Sequence, residues 1–440
     1  MLKRSLKITA SCVLVLSLAQ ANAAQAQETP TSLPITLATV QRARAILQEQ
    51  VNAEAAIPVA KRPVVTSRQA ALKVTLAVWH DRTDEITVWQ ITKQQKKVTV
   101  KEPKGQTVKV LTDNGVNTEF ELSNRPELHV LAIKHPIFID IGTARRPRFR
   151  LENVAYVPYS DFLATPEIVQ AGADYLNANV QAVYDELRNL GVRSRAFPNL
   201  PLAQAIEPNL IKAIIAIEHV NAATLLNGNL EKYLKIFYVI LASNQNQAYA
   251  YARSSASARG LAQFIPTTYQ RLVKARPDLS LHKNFDQGMT DPYNAIKAEL
   301  ALLDSNLTLL PKATRQQHEG DERTIGAYLA AIYNGGSTRV RRAITRWGDK
   351  WAQDHATDLA NLKQLERTQL AEASRLTRAL ANKKITAKEK KSLQAQYQAA
   401  KNKASQAKND YATGLAGSLK RETAQYVAKY YLAYDYFAAR

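Results

Sequence analysis

Apolar positions change their period several times along the chain, and each change predicts a different kind of element. Leu37, Val40, Ile46, Leu47 and Val51 recur at helical spacing between proline-bearing stretches, so residues 27–62 read as a linker holding one helix. Between 63 and 160 the period shortens to two. Leu72, Val74, Leu76 and Val78 alternate with other residues, as do Val98 and Val100, then Val108 and Val110. Residues 128–133 and 137–141 read as two further strands, and Asp113-Asn114-Gly115 is a hairpin signal. Residues 63–160 are therefore expected to form a small β-rich domain.

Helical spacing then returns. Thr165-Pro166-Glu167 reads as an N-cap followed by proline at the first helical position. Ile168, Leu176, Val180, Val183, Leu187 and Leu190 continue that helix and Gly191 ends it, which makes 161–204 a connecting helix. Residues 205–350 and 418–440 are helical and read as parts of one domain. Pro208-Asn209 opens a helix whose apolar residues, Leu210, Ile211, Ile214, Ile215 and Ile217, lead directly to Glu218. Residues 351–417 interrupt this domain with two long polar helices. Leu359, Leu362, Leu365, Leu376 and Leu380 lie on the first, and the capping box Thr386-Ala387-Lys388-Glu389 starts the second. They predict an inserted, basic, antiparallel hairpin. The closing helix is dense in tyrosine: Tyr426, Tyr430, Tyr431, Tyr434 and Tyr436. The expected fold class is α+β.

Composition and charge narrow the possible functions. The 440 residues leave room for two or three domains at roughly 150 residues each. The formal charge of +21 favours polyanionic or acidic partners. Lys3, Arg4 and Lys7 precede an apolar run, Ile8 to Leu18, that is too short to span a bilayer. Ala21-Asn22-Ala23 or Ala24-Gln25-Ala26 then fits a cleavage site, so residues 1–26 are expected to be a secretory signal peptide. Its removal leaves +18 (21 − 3). The one cysteine, Cys12, leaves with it, so neither a disulfide nor a cysteine metal site is expected. No transmembrane segment is expected in the mature chain. It should be periplasmic or secreted, which argues against a specific nucleic-acid partner. The histidines form no His-x-His or His-x-x-x-His pair, so no metal is expected. There is no Gly-x-Ser-x-Gly elbow and no phosphate loop, and no cofactor is expected.

Glu218 is the candidate acid. It closes a helix in which Lys212 is the only charge, so its carboxyl is expected to be partly desolvated. Desolvation penalises the charged form and raises the pKa. A carboxyl that keeps its proton near neutral pH can protonate a glycosidic oxygen. By itself, a glutamate at a helix end is more often solvated or ion-paired.

The surrounding motifs change that weighing. The run from Ser254 to Thr268 contains Ser254, Gly260, Leu261, Gln263 and Pro266, followed by Thr267 and Thr268. It resembles the signature loop of the lysozyme-like soluble lytic transglycosylases. Asp291-Pro292 with Ile296 resembles that family's Asp-Pro-x-x-Asn-Ile segment. Residues 331–336, Ala-Ile-Tyr-Asn-Gly-Gly, resemble its Ala-Ala-Tyr-Asn-Ala-Gly motif, and Glu422-Thr423-Ala424-Gln425-Tyr426-Val427 its Glu-Thr-x-x-Tyr-Val element. The four occur in the family's order, after an apolar helix ending in glutamate. The resemblance spans about 205–350 plus 418–440.

The resemblance implies a helical lysozyme-like domain that cleaves the β-1,4 bond between N-acetylmuramic acid and N-acetylglucosamine in peptidoglycan, leaving a 1,6-anhydro end. It implies Glu218 as the catalytic acid and then base. Gln263, Tyr333, Asn334, Tyr426 and Ser254 would surround the glycan. The implied partners are peptidoglycan strands. Apart from the resemblance, the hairpin reads either as a solvated arm or, like the β-rich domain, as a docking place for an envelope or secretion assembly. The motifs contain no evident second acid, which favours the lyase over a hydrolytic muramidase. The chain also departs from the pattern. His219 replaces a serine, residues 220–250 look inserted, and Ser257, Ala262 and Glu299 stand where the family has glycine, methionine and glycine. These departures also fit an inactive wall-binding scaffold.

Overall fold

The computed structural model describes residues 32–143, 145–219, 229–254, 256–382 and 386–440; the expected signal peptide lies outside them. The period-two stretch folds into a six-stranded antiparallel sheet. Its order is β1 (Val64–Val65), β8 (Phe149–Tyr156), β7 (Leu128–Asp140), β2 (Leu72–His80), β3 (Ile86–Gln94) and β4 (Lys97–Glu102). A separate hairpin pairs β5 (Val108–Thr112) with β6 (Glu119–Leu122). Alternation sends Val74, Leu76 and Val78 to one face, where Trp89, Ile91, Phe120 and Leu122 meet them. Ala77, Trp79 and Leu131 point to the other face, beneath Val40, Ala43 and Leu47 of helix α1 (Leu37–Ala55).

The two strands expected at 128–133 and 137–141 are one 13-residue strand, β7. Pro136 lies between the two expected strands. It lies beyond Lys134, the last β7 residue paired to β2, and opposite Asn153 of β8. A strand paired on one side only tolerates the missing N–H.

The rest of the chain is helical, and the architecture is α+β. Thr165 caps α2 (Pro166–Asn189) through its hydroxyl, with proline at the start as expected. Helices α3 (Pro208–Glu218) and α4 (Leu230–Asn244) follow, then α5 (Pro266–Ala275), α6 (Pro292–Leu307), α7 (Glu322–Gly335) and α8 (Ser337–Trp347). The hairpin is α9 (Ala356–Leu380) and α10 (Ala387–Gly417), the latter opened by the expected capping box. Helix α11 (Arg421–Ala438) ends the chain.

Helix α4 occupies most of the described part of the stretch that looked inserted, and it joins the sheet to the helical core. Val239 and Ala242 pack with the α1–sheet cluster. Leu234, Phe237 and Leu241 pack with α2 and α3 residues in the main core. The fully buried Asn244 accepts from the Val157 N–H (2.8 Å) and donates to the Val157 carbonyl (2.9 Å), which fixes the end of α4 to the chain leaving β8. Among the described residues no helix is long and apolar enough to cross a membrane, and no His/Cys/Asp/Glu group could hold a metal.

Candidate active site

Helix α3 places Glu218. Leu210, Ile211 and every residue from Ala213 to Ile217 are buried, so the helix is fixed along its length and delivers its last side chain to the edge of the core. The Glu218 carboxyl is half-buried and lines a groove of about 710 Å³. Burial pushes its pKa up to about 7, against a hydrogen bond from Tyr426 and the charge of Lys429, which both favour the ionised form. Desolvation outweighs them, and the group is poised near neutral pH.

Helix α11 supplies those two partners. The Tyr426 hydroxyl donates to Glu218 Oε1. Lys429, one turn on, donates to the Ile217 carbonyl (3.0 Å) and sits 5.0 Å from the Tyr426 ring centre. One turn earlier, the Thr423 hydroxyl donates to Asn334 Oδ1 (2.9 Å). This crossing explains Gly335: a Cβ there would lie 2.6 Å from Thr423 Oγ1.

The loop before α5 forms the opposite wall. Gly260 has φ +72° and passes so close to the short helix Phe285–Thr290 that a Cβ would lie 1.8 Å from the Met289 carbonyl oxygen. Gln263 also has positive φ, +48°, and its Nε2 donates back to the Gly260 carbonyl (2.9 Å). Two side chains hold the intervening carbonyls. His219 Nε2 donates to Leu261 O (2.7 Å), and the Tyr333 hydroxyl donates to Ala262 O. Burial pushes the His219 pKa down to about 4, so the ring is neutral at pH 7. Its Nε2 carries the proton because a carbonyl can only accept. The ring stacks on Tyr249 at 3.8 Å and holds the loop; it makes no bond to Glu218.

Glu218, Gln263, Tyr333 and Asn334 thus line one groove, together with Arg195 and Arg271. Tyr426 is buried and reaches Glu218 from α11 rather than from the groove wall. Ser254 does not line the groove. It is exposed, and its Oγ accepts from the Ala258 N–H (3.0 Å), shaping the loop instead. A second groove, of about 740 Å³, lies between α8 and α10 beside Arg341, Arg342 and Arg346 and holds none of these residues.

One expectation is corrected. No second acid is expected near Glu218 from the motifs, yet Glu299 of α6 lies in electrostatic contact with both Glu218 and Tyr333. It has no exposed surface and does not face the groove. The motif places Glu299 at a glycine position but carries no sign of its proximity to Glu218, because α6 reaches α3 only in the folded chain. Lys429 and Thr423 were also missed, although each is one helical turn from Tyr426, where side chains share a face.

Among the described residues lining the groove, Glu218 is the one acid. The undescribed 220–228 contain no acid either. Such a site suits proton donation and return by a single carboxyl. Residues 201–355 match the family model of the transglycosylase SLT domain, which places the lytic-transglycosylase resemblance on α3 through α8 and supports an enzyme acting on peptidoglycan glycan strands. Compared with curated proteins and with solved structures, the chain shows no significant match to either.

Proposed function

We propose that the protein is an exported lytic transglycosylase that cleaves the MurNAc–GlcNAc β-1,4 bond of peptidoglycan with 1,6-anhydroMurNAc formation. The observation that carries this reading is the half-buried Glu218 carboxyl, the one acid on the groove wall among the described residues, with a pKa near 7 and the Tyr426 hydroxyl on its Oε1.

Protonated Glu218 donates to the glycosidic oxygen as the C1–O bond breaks and GlcNAc leaves. The carboxylate left behind accepts the hydrogen bond from Tyr426 and faces the charge of Lys429, both of which offset its burial. It then takes the C6 hydroxyl proton of the muramyl residue while O6 closes on C1. Glu218 ends protonated and no water is consumed. Gln263, Tyr333 and Asn334 offer polar groups along the wall for the sugar's N-acetyl and hydroxyl groups. A hydrolase of the two-carboxyl type needs a second acid facing the bond, about 5–9.5 Å from the first. Glu299 is on the wrong side of the wall for that role.

The basic surface suits work among anionic wall polymers in the periplasm or outside the cell. Arg145, Arg146 and Arg148, with Arg150 paired to Glu152 (2.8 Å), would serve the β-rich domain as an anchor. The hairpin would serve as a docking arm for an envelope assembly.

The test is digestion of purified sacculi followed by mass spectrometry of the released ends. Anhydro ends are expected, with Glu218→Gln slowing their release by roughly 10²–10⁴-fold. Hydrated reducing ends would shift the assignment to a muramidase. Binding without cleavage, or an undiminished Glu218→Gln variant, would overturn the enzymatic reading. Activity should fall as pH rises through about 7, since the ionised acid cannot donate.

A further inference from the structure

The wall behind Glu218 contains a carboxyl that the reaction never touches. Glu299 sits mid-way along α6, between Ala295, Ile296, Ala298, Leu300 and Ala301, all without exposed surface. It is itself fully buried, and neither of its oxygens has a hydrogen-bond partner. A buried, unanswered carboxylate is costly, and such groups neutralise rather than stay charged.

Glu218 and Tyr333 are the groups in electrostatic contact with it, and the other groups on the packed elements are engaged elsewhere and give it no counter-charge. From α2 comes Glu186, which binds Lys297 of α6 (3.1 Å). From the α5 side comes Tyr269, which donates to the His282 carbonyl and accepts from Asn294. Helix α3 offers Glu218 and the neutral His219, and α7 offers Tyr333. Helix α11 offers Tyr426 and Lys429, both engaged with the end of α3. Tyr333 is the complementary group. Its one hydroxyl proton goes to Ala262 O, so its oxygen can still accept.

We propose, resting on the role of Glu218 above, that Glu299 is a positioning residue: it keeps its proton at neutral pH and turns its O–H toward the Tyr333 oxygen. Tyr333 then directs its own proton to Ala262 O, which fixes the loop carrying Gln263. Glu218 is left as the one carboxylate this pair can form. Two carboxyls in electrostatic contact do not both ionise readily. A charged Glu299 would therefore oppose the Glu218 carboxylate at the step where the reaction requires it; a neutral one does not. The electrostatics agree. Burial holds the Glu299 carboxyl well above the ordinary carboxylate range and the Glu218 charge adds to it, outweighing the Tyr333 hydroxyl, which favours the ionised form.

Two measurements test this. The first is infrared spectroscopy of the purified protein at pH 8, which needs no turnover. A carboxylic-acid C=O stretch is expected in the wild type and should vanish in Glu299→Gln. No such band in the wild type, or a band that survives the substitution, overturns the proposal. The second is kinetic. Glu299→Gln keeps a neutral donor, so it should retain activity within about twofold and leave the alkaline limb of the pH profile in place. Glu299→Leu removes the donor and should lower kcat by roughly five- to tenfold. An alkaline limb that moves to lower pH in Glu299→Gln would show that Glu299 carries charge in the working enzyme. A fully active Glu299→Leu would show that Tyr333 needs no such partner; either result overturns the role. A wild type that cleaves nothing counts against the function assigned above, while the infrared band still decides the state of Glu299.

Discussion

The helices around Glu218 and the α9–α10 hairpin are both helical, and they are held together in opposite ways. Around Glu218 the elements come from distant parts of the chain, and polar groups are buried with partners: Tyr426 on Glu218, Thr423 on Asn334, His219 on Leu261 O. Packing is so close that Gly260, against the Met289 backbone, and Gly335, against the Thr423 side chain, have no room for a side chain. The hairpin is a local structure of two successive helices. Its buried seam is thin and mostly alanine, with Ala373, Leu376, Ala400, Ala404 and Ala407, while Leu365 and Leu370 stay exposed. Its ion pair Arg375–Glu372 lies in solvent. The contrast teaches that helix content does not mark the chemistry here. What marks it is polar side chains held in a space that water cannot fully reach.

If that contrast is right, the largest effect should come from crowding the core. Gly260→Ala puts a Cβ at φ +72° against the Met289 carbonyl, so a loss of about 3 kcal/mol or more is expected in denaturant melts, together with loss of sacculus clearing. Wild-type stability in that variant would mean that the loop is not pinned to the Met289 backbone.

A smaller and more informative effect is expected from Tyr426→Phe. The tyrosine donates to Glu218 and favours its ionised form, so its removal should raise the Glu218 pKa above about 7. The alkaline limb of the activity profile should move to higher pH by about one unit, as expected for one lost hydrogen bond of ~1–1.5 kcal/mol. A limb moving to lower pH would mean that Tyr426 does not stabilise the carboxylate.

The smallest effect belongs to the arm. Lys388, Lys390 and Lys391 are exposed. Changing all three to Gln should alter stability by less than about 0.5 kcal/mol in thermal melts and leave cleavage of soluble glycan fragments unchanged. A marked loss of cleavage would erase the distinction between core and arm.

How much could be read in advance follows the same division. The Thr165-Pro166 start of α2, the apolar helix ending in Glu218 and the capping box of α10 were legible because each is decided within a few residues. Gln263, Tyr333, Asn334 and Tyr426 were found through the order of the motifs. Ser254 was placed with them but stands apart, since its motif position reflects a turn that its hydroxyl closes on itself. The single long β7 was read as two strands, because Pro136 signals a break unless the neighbouring strands are known. Glu299 escaped for the strongest reason. Its own helix marks it only as an acid at a glycine position among apolar neighbours, and nothing there shows that it meets Glu218.

The amino-acid sequence by itself determined the local elements and the strongly basic balance, since period, capping and charge are properties of short segments, and the order of its motifs marked Glu218 as the candidate acid. Only the tertiary structure decided how that acid is tuned. Glu218 and Tyr426 are 208 residues apart, and Glu299 and Lys429 come from two further helices. Desolvation and coupling depend on what distant elements bring into one low-dielectric space, and no local pattern carries that information.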